Sequence, residues 1–225
     1  MSRLKTPIIF SDFDGTITEH DVIISIMEKF APPEWIELKD KILYKRTVTL
    51  KDGVEKLFSL IESSKKNEIV NYIKENTRLR KGFEDFLSFC KNKQIEFNVL
   101  SGGLDFHIEP ILESFKDKLK IFCNKANFNS DRIKIDYKYL PINCTSCGDC
   151  GFCKIEVIEQ FTKEKFTRIL IGDSLTDLSP SKVADVVFAR GDLIKYLEQE
   201  NISYIPFSNF HEVKEKLVQK LSIKI

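Results

Sequence analysis

No apolar run in the 225 residues approaches the length of a membrane span. The longest, such as Val22 to Met27, fall far short of the ~20 residues that cross a bilayer. The segment Leu4 to Phe10 is interrupted by Lys5 and soon followed by Asp12, so it holds no secretory-signal core. The expectation is a cytoplasmic chain without a membrane partner, monomeric or homodimeric. Net charge is lacking too: 35 basic against 34 acidic side chains leave +1, which removes the electrostatic case for a nucleic-acid partner. Internal repeats and low-complexity tracts are absent. With 42% hydrophobic and 31% charged residues the composition is globular, and the length suits one domain or a domain with an insertion.

What is present is organised around Pro7-Ile8-Ile9-Phe10-Ser11-Asp12-Phe13-Asp14-Gly15-Thr16. Four residues of buried-strand character run into two carboxylates spaced i, i+2, which a strand places on one face. The carboxyl end of a strand in an open α/β sheet is where ligands bind. Residues 18–78 then change character. Apolar stripes at helical spacing recur after Asp21, Pro33, Thr49 and Ser63 or Ser64, with no strand between them. This predicts a helical cap domain over 18–78, inserted into a core domain of 1–17 and 79–225. From Gly82 onward strands alternate with helices, which predicts an α/β fold: a Rossmann-like, mostly parallel sheet with right-handed crossovers. The strands are expected at Glu96 to Leu100, Leu119 to Cys123, Arg168 to Ile171 and Val186 to Ala189, with a small hairpin within Asn127 to Tyr139.

The chemistry these residues suit is phosphoryl transfer. Asp12 is placed as a nucleophile that forms a phosphoaspartate, and Asp14 as general acid on the leaving oxygen and then base for water. Thr16, Ser101 and Gly102 offer hydroxyls and amides to phosphate oxygens. Asp12, the Asp14 carbonyl and Asp173 form an oxygen set suited to Mg²⁺, with Asp177 behind them orienting a water or Lys154. Charge makes the cations necessary. With Asp14 protonated, Asp12, Asp173 and a phosphate dianion carry four negative charges, and Mg²⁺ with Lys154 reduces that to one. Glu19, His20, Asp21 and Lys56 are candidates for the cap side of the site, while His20 and His107 read as structural. Cys90 and Cys123 read as buried thiols. Cys144, Cys147, Cys150 and Cys153 recur every third residue, a density that suits Zn²⁺ or an Fe–S cluster as well as a loop of reduced thiols.

In this order, Asp12 to Thr16, Ser101, Lys154, and Asp173 with Asp177 resemble the haloacid dehalogenase superfamily of phosphatases. The resemblance implies Mg²⁺-dependent hydrolysis of a small-molecule phosphomonoester at a cleft between cap and core. Ser101-Gly102-Gly103-Leu104-Asp105 with Ala126-Asn127 resembles the phosphoserine phosphatase group. Phe30-Ala31-Pro32-Pro33-Glu34-Trp35 and a cysteine-rich loop ending at Cys153-Lys154 are closer to the methionine-salvage branch, the 2-hydroxy-3-keto-5-methylthiopentenyl-1-phosphate phosphatases. Phosphoserine phosphatases carry a cap arginine that grips the serine carboxylate; Lys56, Leu57 and Phe58 stand where it is expected. A metal or redox module on the cysteines, with a core that only binds ligands, is the reading of another class.

Overall fold

Ile8, Ile9 and Phe10 have almost no exposed surface, and they form the middle of the sheet. The computed structural model describes residues 5–140 and 149–221. Strand β1 (Thr6–Ser11) leads through a wide turn to helices α1 (Val22–Phe30), α2 (Trp35–Leu43), α3 (Leu50–Ser59) and α4 (Lys66–Asn76). Next come α5 (Phe83–Asn92), β2 (Glu96–Leu104), α6 (Asp105–Leu112), β3 (Lys120–Asn127) and β4 (Lys134–Asp136). The last third holds α7 (Lys154–Glu159), β5 (Phe166–Gly172), α8 (Leu178–Ser181), β6 (Val186–Ala189), α9 (Leu193–Gln199), β7 (Ile205–Pro206) and α10 (Phe210–Leu221).

The seven strands lie in the order β4-β3-β2-β1-β5-β6-β7, all pairs parallel except β3 with β4. From β1 the chain adds strands toward one edge, then returns to the other side of β1 with β5. The carboxyl end of β1 is therefore the point where the winding reverses, the position at which open α/β sheets bind their ligands. Helices α5 and α10 cover one face through Phe83, Phe86 and Phe210, whose rings meet Phe97 of β2 or one another at 5.2–6.1 Å. Such contacts make this part of the core dense and rigid.

Between β1 and α5 the chain leaves and re-enters the sheet side by side. Glu19 N–H donates to Arg78 O (3.0 Å), Arg80 N–H to Ile17 O (2.7 Å), and Thr18 bridges Leu79 in antiparallel fashion. The helices follow their local signals. Asp21 accepts from Ile24 N–H (3.0 Å) at the start of α1, and Thr49 from Asp52 N–H (3.1 Å) at the start of α3. The serine cap expected for α4 is not formed: a tight turn, Ser63–Lys65, intervenes, and the Ser64 hydroxyl bonds Glu62 instead. Both inner strands are longer than their apolar runs. β2 continues through Ser101-Gly102-Gly103, with its pairing to β3 shifting between Leu100 and Leu104. β3 extends to Asn127 because its last residues pair with β4, so the hairpin expected within Asn127 to Tyr139 instead takes its first strand from the end of β3, Lys125 to Asn127. Glycines tolerate such a bulge, and a bulge re-aims the side chains beside it.

Candidate active site

Asp12 follows β1 directly, its N–H bonded to Ile171 O (2.9 Å) of the neighbouring strand. One carboxylate oxygen accepts from Phe13 N–H (2.8 Å) and lies 2.9 Å from Lys154 Nζ. Lys154, the first residue of α7, also reaches Asp177 at 2.7 Å, and all three side chains are buried. Burial pulls the lysine's pKa down, but Asp12 and Asp177 outweigh it and hold the ammonium firmly charged. Asp177 has both oxygens engaged: one takes the lysine, the other accepts from Asp173 N–H (3.0 Å) and Ser174 N–H (3.3 Å). Gly172 makes room for it, since a Cβ there would sit 2.4 Å from the Asp177 carboxyl carbon.

Asp173 comes off the end of β5 and accepts from the Thr16 hydroxyl (2.9 Å). Gly15 occupies the left-handed region (φ +72°), and a Cβ would come within 2.4 Å of Asp173 Oδ2. Any other residue there would displace the carboxylate. Asp14, partly buried, accepts from Val22 N–H (2.8 Å), the first amide of α1. Ser101 is buried, its hydroxyl accepting from Gly103 N–H (3.0 Å), and the Gly102 carbonyl is held by the Asn124 amide (3.2 Å).

Among the described residues, Asp12, Asp173 and Asp177 bring carboxylate oxygens within 4.8 Å of one another. Desolvation raises the pKa of Asp12 well above the carboxylate range, with the charge of Asp177 adding to it, and pushes Asp173 up to about 6 for the same two reasons. Desolvation and the charge of Asp21 also raise Asp14. Crowded, buried, oxygen-only donors whose ionisation is resisted fit a hard dication such as Mg²⁺. Since Asp177 is committed to Lys154 and two amides, Asp12 and Asp173 are the side chains left for the ion.

The other expected residues fall into two groups. Glu19, His20, Asp21 and Lys56 are exposed, and Asp21 is occupied as a helix cap. Of the cysteines, Cys144 and Cys147 lie outside the described residues. The Cys150 thiol donates to Phe152 O (3.2 Å), and Cys153 N–H donates to Tyr139 O (2.8 Å). Asn124 also holds Gly151 O (3.1 Å), so backbone bonds of this kind fix the residues that lead into Lys154. Zn²⁺ or an Fe–S cluster finds no support in these contacts.

Two residues that no motif singles out stand at the centre of the site. Arg80 and Arg190 both donate to Gly15 O, from positions 65 and 175 residues away in sequence. The only hint in the sequence is an arginine set in each case close to a glycine turn.

His107 is fully buried, stacked on Phe58 of α3, with neither ring nitrogen hydrogen-bonded. Burial pushes its pKa down to about 3. The unfolded chain takes up this proton below about pH 6.5 whereas the folded chain does not, so stability falls as pH drops through that window. At pH 5 the cost is about 2 kcal/mol. The His107→Phe variant is expected to lose that share of acid sensitivity, read by urea unfolding at pH 7.5 and pH 5; an unchanged pH dependence would refute it.

Comparison with known proteins assigns the chain to a family. Residues 9–179 match the haloacid dehalogenase-like hydrolase family. A 2-hydroxy-3-keto-5-methylthiopentenyl-1-phosphate phosphatase from Bacillus velezensis is 42% identical over 93% of this chain and 89% of its own. The protein of that name from Geobacillus thermodenitrificans is 42% identical over 97% and 98%. Among solved structures, a phospho-aspartyl intermediate analogue of phosphoserine phosphatase superposes with a TM-score of 0.71 at 19% identity, covering 95% of this chain and 99% of its own. At that identity the likeness speaks for the fold alone. From β1 through α8, and with relatives of this similarity along nearly its whole length, the chain belongs to the haloacid dehalogenase-like hydrolase family and is a phosphomonoester hydrolase.

Proposed function

We propose that this phosphatase hydrolyses 2-hydroxy-3-keto-5-methylthiopentenyl 1-phosphate, the enol-ketone ester of methionine salvage, through a phosphoaspartate on Asp12. The observation that carries the substrate is the 42% identity to phosphatases of that name over nearly the whole chain. A bonding pattern around Asp12 suited to the chemistry supports the mechanism. An Asp12 carboxylate oxygen attacks phosphorus, the ester P–O bond breaks, and Asp14 gives its proton to the departing enol oxygen. Water then attacks the phosphorus of the phosphoaspartate, Asp14 takes its proton, and inorganic phosphate leaves. The raised pKa of Asp14 suits a carboxyl that must begin protonated. Lys154, Thr16, Ser101 and the Gly102 amide hold phosphate oxygens. Asp12, Asp173 and the Asp14 carbonyl would hold Mg²⁺, which supplies charge neutralisation for the dianion.

Residues 18–78 serve in this reading as the cap that closes the crevice and selects the substrate, in a cytoplasmic monomer or homodimer. Leu57 and Phe58 of α3 are buried, Phe58 against Phe106 and His107, while Lys56 points to solvent. A cap helix that buries Leu57 and Phe58 and carries no arginine favours a thioether-bearing substrate over phosphoserine. Phosphate release from the enol phosphate and from phosphoserine, with Mg²⁺ and with EDTA, tests this. The expected result is release from the enol phosphate at least about 100-fold faster in kcat/KM, abolished by EDTA. Preference for phosphoserine would overturn the substrate and leave the mechanism standing. Silence toward both, with iron or zinc in the pure protein, would favour the cysteine-centred binding module.

A further inference from the structure

The peptide that follows Asp14 is held from outside by an unusual concentration of donors. Arg80 is buried, and its side chain donates to three backbone carbonyls: Nε to Thr16 O (2.8 Å), and Nη2 to Gly15 O (2.7 Å) and Thr18 O (2.9 Å). Its own N–H takes the carbonyl between them, Ile17 O (2.7 Å). Arg190 adds a further donor to Gly15 O. One residue thus satisfies four consecutive carbonyls of the turn that carries Asp14 away from β1. Inside the turn Gly15 N–H donates to the Thr18 hydroxyl (3.1 Å) and Thr18 N–H to Phe13 O (3.1 Å), and the carbonyls of residues 15 to 18 are the groups that Arg80 takes up. Arg80 also lies where the chain returns from the helical segment, while Asp14 accepts from the first amide of α1, where that segment begins.

We propose that Arg80 is the positioning residue for the acid: its fork on the carbonyls of Gly15, Thr16 and Thr18 fixes the Asp14 turn and couples it to the seat of the helical segment on the core. A planar guanidinium spans several carbonyls in one fixed geometry, and a lysine ammonium does not. This inference rests on the reading of Asp14 as general acid. Loss of the fork lets the carboxyl drift by a fraction of an ångström, and misplacement on that scale costs about 10- to 100-fold in a step that depends on it. Steps that need no proton feel the turn only through Thr16 and the Asp14 carbonyl and fall less.

The test compares wild type, Arg80→Lys and Asp14→Asn on aryl phosphates from p-nitrophenyl to phenyl, reading phenol release in a single turnover with Mg²⁺. Nitrophenolate departs without a proton; phenolate is helped by one. In Arg80→Lys, phenyl phosphate cleavage is expected to fall about 10- to 100-fold and p-nitrophenyl phosphate cleavage by less than about threefold. Asp14→Asn should show the same steepened dependence, only larger. If Asp14→Asn steepens the dependence and Arg80→Lys slows all esters equally or none, the role of Arg80 is overturned and Asp14 keeps its own. If Asp14→Asn leaves the dependence unchanged, the acid assignment falls and the inference falls with it. Should Arg80→Lys not fold, Arg80→Gln, neutral but still carrying amide donors, is read in the same way.

Discussion

Replacing Asp12 with asparagine is expected to stop phosphate release almost completely, by at least about 1,000-fold in kcat, while making the folded protein more stable. The first effect follows from the proposed role: an amide does not form the phosphoaspartate, and no neighbour stands in its place. The second follows from electrostatics. Desolvation and the charges of Asp177 and Asp173 raise the Asp12 pKa in the folded chain despite Lys154. For a carboxyl with a raised folded pKa, stability is greatest while it is protonated and declines as pH rises through the unfolded value near 3.9 toward the folded one. Above the unfolded value, and without a cation, a buried Asp12 that resists ionisation is therefore a burden that asparagine removes. Lys154 remains paired with Asp177 in the variant, so no charge is stranded. Malachite-green assay of phosphate together with a thermal melt in EDTA checks both. A variant that melts lower than wild type, or that keeps a tenth of the activity, would contradict the account.

Lys154→Met has the opposite signature for stability. The stem volume is kept and the ammonium is lost, so Asp12 and Asp177 are left buried without their shared counter-ion. Breaking a buried pair in this way costs about 3–5 kcal/mol. Activity falls by at least about 100-fold, since the phosphate dianion then meets the carboxylate cluster with one positive charge fewer. The variant should recover part of its stability as pH is lowered, because burial already resists ionisation of Asp12 and its protonation relieves the stranded charge. Chemical denaturation across a pH series measures this. Equal losses at every pH would show that the lysine contributes packing and little else.

Much of the site was legible because its parts are local. Asp12 and Asp14 are two residues apart at the end of an apolar run, and Gly172, Asp173 and Asp177 sit within one turn of another strand. The four helices α1 to α4 showed themselves by periodicity, and Asp21 and Thr49 by cap chemistry. The expected cap at Ser63 or Ser64 did not form, because a serine suits a cap and a tight turn equally well. The strand expected at Glu96 to Leu100 runs on through Ser101-Gly102-Gly103 as a bulge, because pairing with β3 carries the ladder past the glycines.

What the sequence determined by itself, then, was the set of candidate reacting groups and the alternation of elements that brings them together. Both rest on interactions between residues one to four positions apart, and these leave a period or a spacing behind. Only the tertiary structure decided that β1 lies between β2 and β5, that Asp177 gives one oxygen to Lys154 and the other to two amides, and that Arg80 and Arg190 meet on one carbonyl. Those contacts join residues up to 175 positions apart, and no local pattern records them. They arise when the sheet assembles and buried donors and acceptors must find each other away from water.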